Sequence, residues 1–86
     1  MNVDEIKSLV AKVSDTFDFG KYETNLLIRY YVHKHCAWLT QVAIAHHFGI
    51  SKHNVHKGLK TVENDSRYAI MKLRINHEIN KVINQR

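Results

Sequence analysis

The 86-residue sequence contains no proline, only three glycines and a single cysteine. Because proline and glycine are the strongest helix breakers, their scarcity predicts an all-α fold. One cysteine, Cys36, excludes an intramolecular disulfide and is typical of a reducing compartment, so we expect a cytoplasmic protein. No apolar run approaches the ~20 residues of a membrane span, and Met1–Val10 lacks the pattern of a signal peptide. We therefore expect no association with a membrane.

Carboxylates are also missing, but only from the middle of the chain. Lys and Arg number 13 against 8 Asp and Glu, which gives a net charge of +5. Between Glu23 and Glu63 there is no carboxylate, whereas this stretch holds five Lys or Arg and six of the seven histidines. An acid-free basic stretch is typical of a polyanion binder. A solvated basic face without any ligand would have the same composition.

Length and apolar spacing predict one domain, residues 1–86, built from about five short helices. A hydrophobic fraction of 44% is ordinary for a globular chain of this size. Three- and four-residue apolar steps predict helices over about 3–17, 22–35, 41–47, 52–62 and 67–84. Thr40 and Ser51 are expected to cap the third and fourth helices, and Asp65 or Ser66 the last. The apolar positions of the last helix are Ile70, Leu73, Ile75, Ile79, Val82 and Ile83.

The most specific pattern lies in the twenty residues from Gln41 to Lys60. The fifth position is the small residue Ala45 and the ninth is Gly49; four further positions are apolar, namely Ile44, Phe48, Ile50 and Val55. Two helices that cross through a short turn leave room for only a small side chain at Ala45. The turn itself needs a left-handed residue, which glycine adopts without strain. An unrelated helical hairpin with a glycine turn is the alternative.

This pattern resembles the helix-turn-helix of phage repressors and Cro-type proteins. The resemblance implies a trihelical core and a sequence-specific double-stranded DNA-binding protein, of the transcription-regulator type, that inserts the helix from about Lys52 to Val62 into the major groove. Lysine can donate to guanine and asparagine can pair with adenine. The residues expected at bases or nearby phosphates are Lys52, His53, His56 and Lys57, with Asn54 at the edge. The residues expected to anchor phosphates, partly because helix N-termini attract anions, are Thr40, Gln41, Ser51 and Lys60.

The order of helices is similar, more weakly, to the duplex-binding domain that ends the bacterial replication initiator. The similarity covers about residues 23–84 and includes the aromatic pair Tyr30 and Tyr31. The signature Gly-Arg-Asp-His-Thr-Thr of that family is replaced here by Gly49-Ile50-Ser51-Lys52-His53-Asn54, so the same DNA site is not implied. A factor in DNA replication or in plasmid or phage maintenance is therefore the alternative function.

The histidines around Cys36 raise the question of a metal site. His33, His35 and Cys36 are followed by His46 and His47, and all five are of metal-ligand type. One cysteine without regular spacing is a poor match to structural zinc, so we predict no metal and no cofactor. The stretch has no carboxylate to orient an imidazole, so the protein is not expected to be an enzyme.

Packing and partners form the last set of predictions. Cys36 and the neighbouring Trp38 are expected to be buried. The last helix either completes the core or exposes Ile75, Ile79 and Val82 to a second copy. We favour a homodimer through this helix, because a dimer reads two half-sites one DNA turn apart, and we expect it to associate with the nucleoid when bound. An adaptor whose basic face holds an acidic protein partner is the alternative from another class.

Overall fold

The computed structural model describes residues 1–36 and 38–85. Within these residues the chain forms five α-helices, one 3-10 turn and no strand, which confirms the predicted all-α fold. The helices are α1 (Val3–Asp15), α2 (Lys21–His35), α3 (Gln41–Phe48), α4 (Lys52–Asn64) and α5 (Ala69–Asn84), and the 3-10 turn covers Ser66–Tyr68. Of the helices described, none has the length and apolar character that crossing a membrane requires.

Polar side chains cap the starts of several helices. Asn2 accepts a hydrogen bond from the Glu5 amide at 2.8 Å and Glu5 accepts one from the Asn2 amide at 3.3 Å, which forms a capping box on α1. The Thr40 and Ser51 hydroxyls each accept a hydrogen bond at 3.1 Å from the amide three residues on, as predicted. Asp65 accepts a hydrogen bond from the amide two residues on at 2.9 Å, so it caps the 3-10 turn ahead of α5.

Helix ends differ by up to two residues from the sequence prediction. α1 ends at Asp15 and not near Phe17, because the chain turns there and Asp18 has a left-handed backbone with φ 57°. α4 continues beyond Val62 to Asn64. α5 begins at Ala69, because the three residues before it form the tighter 3-10 turn.

α1 and α2 each pack against more than one other helix. α1 packs against α2 and α5, and α2 packs in turn against α3 and α4. The Tyr31 hydroxyl donates to the Lys72 carbonyl at 3.1 Å and so joins α2 to α5. The larger buried side chains come from every helix and include Ile6, Val10, Leu27, Tyr31, Val32, Ile44, Val55, Val62, Met71, Ile75 and Ile79.

α5 has apolar residues on two sides and buries one of them. Ile75 and Ile79 are fully buried together with Met71, so the alternative in which they are exposed to a second copy is wrong. Ile70 and Leu73, two other apolar residues of this helix, are 64% and 69% exposed. Because the buried positions recur every four residues from Met71, Ile70 and Leu73 fall on the outer side of the helix. The homodimer itself stays a prediction.

The connection between α2 and α3 gives a second correction. Cys36 is buried as predicted, and its thiol lies 3.8 Å from the Met1 carbonyl oxygen beside the start of α1. Trp38 is 69% exposed, so the prediction that it is buried is wrong. Trp38 is not among the residues that form the core or pack against it.

Candidate nucleic-acid interface

α3 and α4 are joined by the turn Gly49-Ile50-Ser51. Gly49 has φ 67° and ψ 34°, the left-handed conformation that ends α3. The Ile50 amide donates to the Ala45 carbonyl at 3.0 Å and the Gly49 amide to the His46 carbonyl at 3.3 Å, which satisfies the last carbonyls of α3. A Cβ on Gly49 would meet no atom within 4 Å, so the backbone conformation, and not lack of space, favours glycine here.

The inner residues of this two-helix segment match the sequence pattern. Ala45 is buried on α3, next to Ile44, and Val55 is buried on α4. Phe48 and Ile50 are half-buried and pack against the core. These side chains fix α3 and α4 to the rest of the molecule and leave their other sides to solvent.

Gly58 lies where α4 packs against Leu26 of α2. A Cβ at this position would lie 3.0 Å from the Leu26 Cδ2 atom, tighter than an ordinary van der Waals contact. The glycine therefore lets α4 pack closely on α2, and it sets how the exposed side of α4 is presented.

The exposed side of α4 carries every residue that the sequence predicted there for DNA contact. All are exposed: Lys52, His53, Asn54, His56, Lys57 and Lys60. Over the residues described, none of these lysines is paired with a carboxylate, since the ion pairs are Arg67–Asp65 at 3.1 Å and Lys81–Glu78 at 3.7 Å. We call this set of six residues the basic face of α4.

The predicted phosphate anchors lie at helix starts. Thr40 and Ser51 are exposed N-caps of α3 and α4, and Gln41 is the half-buried first residue of α3. Neither helix has an acidic residue in its first turn, so the partial positive charge of each N-terminus is not neutralised locally. Both ends are therefore chemically suited to an anion.

A groove of about 640 Å³ between α2 and α4 adjoins the basic face. Gln41, His56 and Lys60 line it, and α2 adds His33 and Lys34. The sequence prediction placed His33 and Lys34 in the acid-free stretch but left them out of the binding site. Only the tertiary packing of α2 on α4 brings them there; the absence of acids that begins on α2 was the available signal.

Glu63 is the one carboxylate among the residues that line the groove. It accepts a hydrogen bond from the Tyr30 hydroxyl at 2.5 Å, and Lys72 donates to its carbonyl oxygen at 3.3 Å. The hydrogen bond from Tyr30, then the charge of Lys72, lower the pKa of the Glu63 carboxyl. Burial, then the hydrogen bond to Glu63, raise the pKa of Tyr30 to about 12, so its hydroxyl stays protonated and donates.

Lys34 lies against aromatic rings. Its Nζ atom is 5.9 Å from the centre of the Tyr30 ring and 6.0 Å from that of Tyr31, within cation–π distance. The side chain is exposed and lies among the residues that line the groove.

One of the histidines takes part in packing. His35 is half-buried, stacks on Tyr31 with ring centres 5.9 Å apart, and has a buried Nε2 atom without a hydrogen-bond partner. Burial lowers the pKa of His35 and raises that of Cys36. In the part of the chain that the structure describes, no three His, Cys, Asp or Glu side chains are placed to hold a metal ion.

The candidate interface thus has three adjoining parts: the basic face of α4, the start of α3, and the groove between α2 and α4. Apart from Glu63, which is hydrogen-bonded to Tyr30, its charged residues are basic. Comparison with protein-family models, with curated proteins and with solved structures found no match to this chain.

Proposed function

We propose that the protein is a sequence-specific double-stranded DNA-binding protein that places α4 in the major groove. The observation that carries this proposal is the basic face of α4, whose six residues are all exposed and include no acid. Glu63, the carboxylate in the lining of the adjoining groove, is hydrogen-bonded to Tyr30. Like charges gathered on one helix repel each other, and a polyanion relieves that repulsion. The major groove, about 12 Å wide, admits an α-helix.

The side chains on this face supply chemistry suited to base edges and phosphates. Asn54 can donate to and accept from adenine, and Lys57 can donate to guanine O6 and N7. His53 and His56 can serve as donors or acceptors, and Lys52 lies in the first turn of α4 where a phosphate is favoured. Thr40 and Ser51 retain hydroxyl protons for phosphate oxygens while their oxygens cap the helices.

A transcription regulator acting as a homodimer is the form of this function that we favour. The dimer would use the outer side of α5, where Ile70 and Leu73 are exposed one turn apart. The protein measures 33 × 29 × 19 Å, so two copies side by side can place their α4 helices about 34 Å apart, the spacing of successive major grooves. Its proposed location is the cytoplasm, on the nucleoid when bound.

Two other functions compete with this proposal. A replication or maintenance factor would bind duplex DNA through the same face. An adaptor for an acidic protein partner is favoured by exposed apolar side chains next to the start of α3, Trp38 and Val42. Binding to duplex DNA separates the adaptor from the other two.

Fluorescence anisotropy with a labelled random-sequence duplex, measured over a range of salt concentrations, tests the proposal. Each phosphate contact should contribute about 0.9 to the slope of log K against log salt. Selection of bound sites from a random pool then supplies the preferred duplex, and its symmetry reports the oligomer. Lys57→Ala should weaken binding to that duplex more than to random DNA, whereas the exposed Lys12 on α1 gives a charge-matched control. Absence of duplex binding at low salt would overturn the proposal.

A further inference from the structure

We infer that the groove between α2 and α4 holds the sugar-phosphate backbone of the DNA strand that borders the contacts of α4, with Lys34 and Lys60 as its phosphate-binding residues. This inference rests on the proposed function and extends it to a second helix. Lys34 was absent from the site predicted from the sequence.

The position of the groove supports this role. His56 and Lys60 belong both to the basic face of α4 and to the lining of the groove, so the two surfaces share an edge. Gln41, at the start of α3, also lines it. A duplex with α4 in its major groove has a backbone on each side of that helix, and one of them would run along this shared edge.

The charges in the groove are those of a polyanion site. Lys34 and Lys60 lie on opposite walls, on α2 and α4, with His33 and His56 beside them. Within the described residues neither lysine is in an ion pair with a carboxylate. The carboxylate of Glu63, which is also exposed in this groove, accepts a hydrogen bond from the Tyr30 hydroxyl, so the two lysines face a single acidic side chain there.

The chemistry of the walls favours backbone over base recognition. Lysine is a flexible point charge that binds phosphate without fixed geometry, unlike a residue that reads a base edge through two hydrogen bonds. The tyrosine hydroxyl on the α2 wall is already engaged with Glu63. Half or more of protein–DNA hydrogen bonds go to phosphate and sugar, and they set orientation more than sequence preference. The groove should therefore add affinity but little specificity.

The test compares Lys34→Ala with Lys12→Ala on the full chain, using both the random and the selected duplex. Lys34→Ala should weaken binding to both duplexes by the same factor and reduce the salt slope by about 0.9, the loss of one phosphate contact. Lys34→Arg keeps the charge and should keep the slope. Lys12→Ala on α1 should change neither. Because Lys34 is exposed, circular dichroism should show the wild-type helical content in all three variants.

The outcomes separate this inference from the proposed function. If the wild-type chain does not bind duplex DNA at low salt, the proposed function fails and the inference fails with it. If the wild type binds and Lys57→Ala weakens binding, but Lys34→Ala matches Lys12→Ala in affinity and slope, only the groove is excluded. A loss on the selected duplex that exceeds the loss on random DNA would make Lys34 a base contact and overturn the backbone assignment.

Discussion

Two open grooves among the described residues are of similar size but differ in how charge is arranged. The groove between α1 and α5 measures about 750 Å³ and is lined by both signs, including Asp4, Lys12 and the ion pair of Lys81 with Glu78. The groove between α2 and α4 measures about 640 Å³ and has lysines and histidines around a single carboxylate. Size does not distinguish them. The balance of charge does, because the acids and bases of the first groove are equal in number, whereas the second has more lysines than carboxylates and so keeps a positive field that an oppositely charged partner can neutralise.

The largest expected effect comes from reversing charge on the basic face of α4, compared with the same reversal at the groove between α1 and α5. Lys57→Glu with Lys60→Glu should lower duplex affinity by roughly a hundredfold or more at low salt, since two favourable terms become repulsive. Lys12→Glu with Lys81→Glu makes the same change in net charge at the groove between α1 and α5, and it should lower duplex affinity far less. Equal losses in anisotropy titrations would mean that only the total charge matters, and the contrast between the two sides would then carry no functional meaning.

A smaller effect on folding distinguishes the turn before α4 from the loop before α2. Gly49→Ala should lower the free energy of unfolding by about 1 kcal/mol, because its φ of 67° disfavours a Cβ. Gly20→Ala is the control: its φ is −73°, and the added Cβ meets only the flexible end of Glu23 at 2.9 Å. Urea denaturation measures both. An unchanged stability for Gly49→Ala would show that the turn relaxes out of the left-handed conformation.

The smallest effect concerns Glu63, the carboxylate that lines the groove between α2 and α4. Tyr30→Phe removes the main cause that lowers the pKa of Glu63, so that pKa should rise toward its ordinary value. A carboxyl whose pKa is lowered by folding stabilises the folded protein at pH values above its pKa in the unfolded chain. This stabilisation is lost as the pH falls through its pKa in the folded protein. The stability deficit of Tyr30→Phe should thus shrink on acidification below about pH 4. Carbon-detected NMR titration of Glu63 measures the shift, and an unchanged pKa would remove Tyr30 as its cause.

Local signals in the sequence were sufficient to predict the five helices and the exposed residues of α4. The caps Thr40 and Ser51 and the turn at Gly49 each act within a few residues, so their patterns predict the structure directly. The exposure of Lys57 follows from the same helical period that buries Val55.

Features that depend on tertiary packing could not be read from the sequence. α5 has apolar residues on two sides, and only its packing on α1 decides that Met71 is buried and Ile70 is not. The groove lies between α2 and α4, whose packing places Lys34 and Lys60 in one lining although they are far apart in the sequence. The spacing of apolar residues within one helix does not determine which other helix it packs against.

The exposed Trp38 has a practical consequence. It is the one tryptophan in the sequence, and it lies two residues before the cap of α3, next to the proposed DNA contacts. With the ring 69% exposed, its emission should report a water-rich environment in the free protein. A blue shift or quenching on titration with unlabelled duplex would follow binding in real time without a dye, and the same signal could be read in a stopped-flow instrument to give association rates.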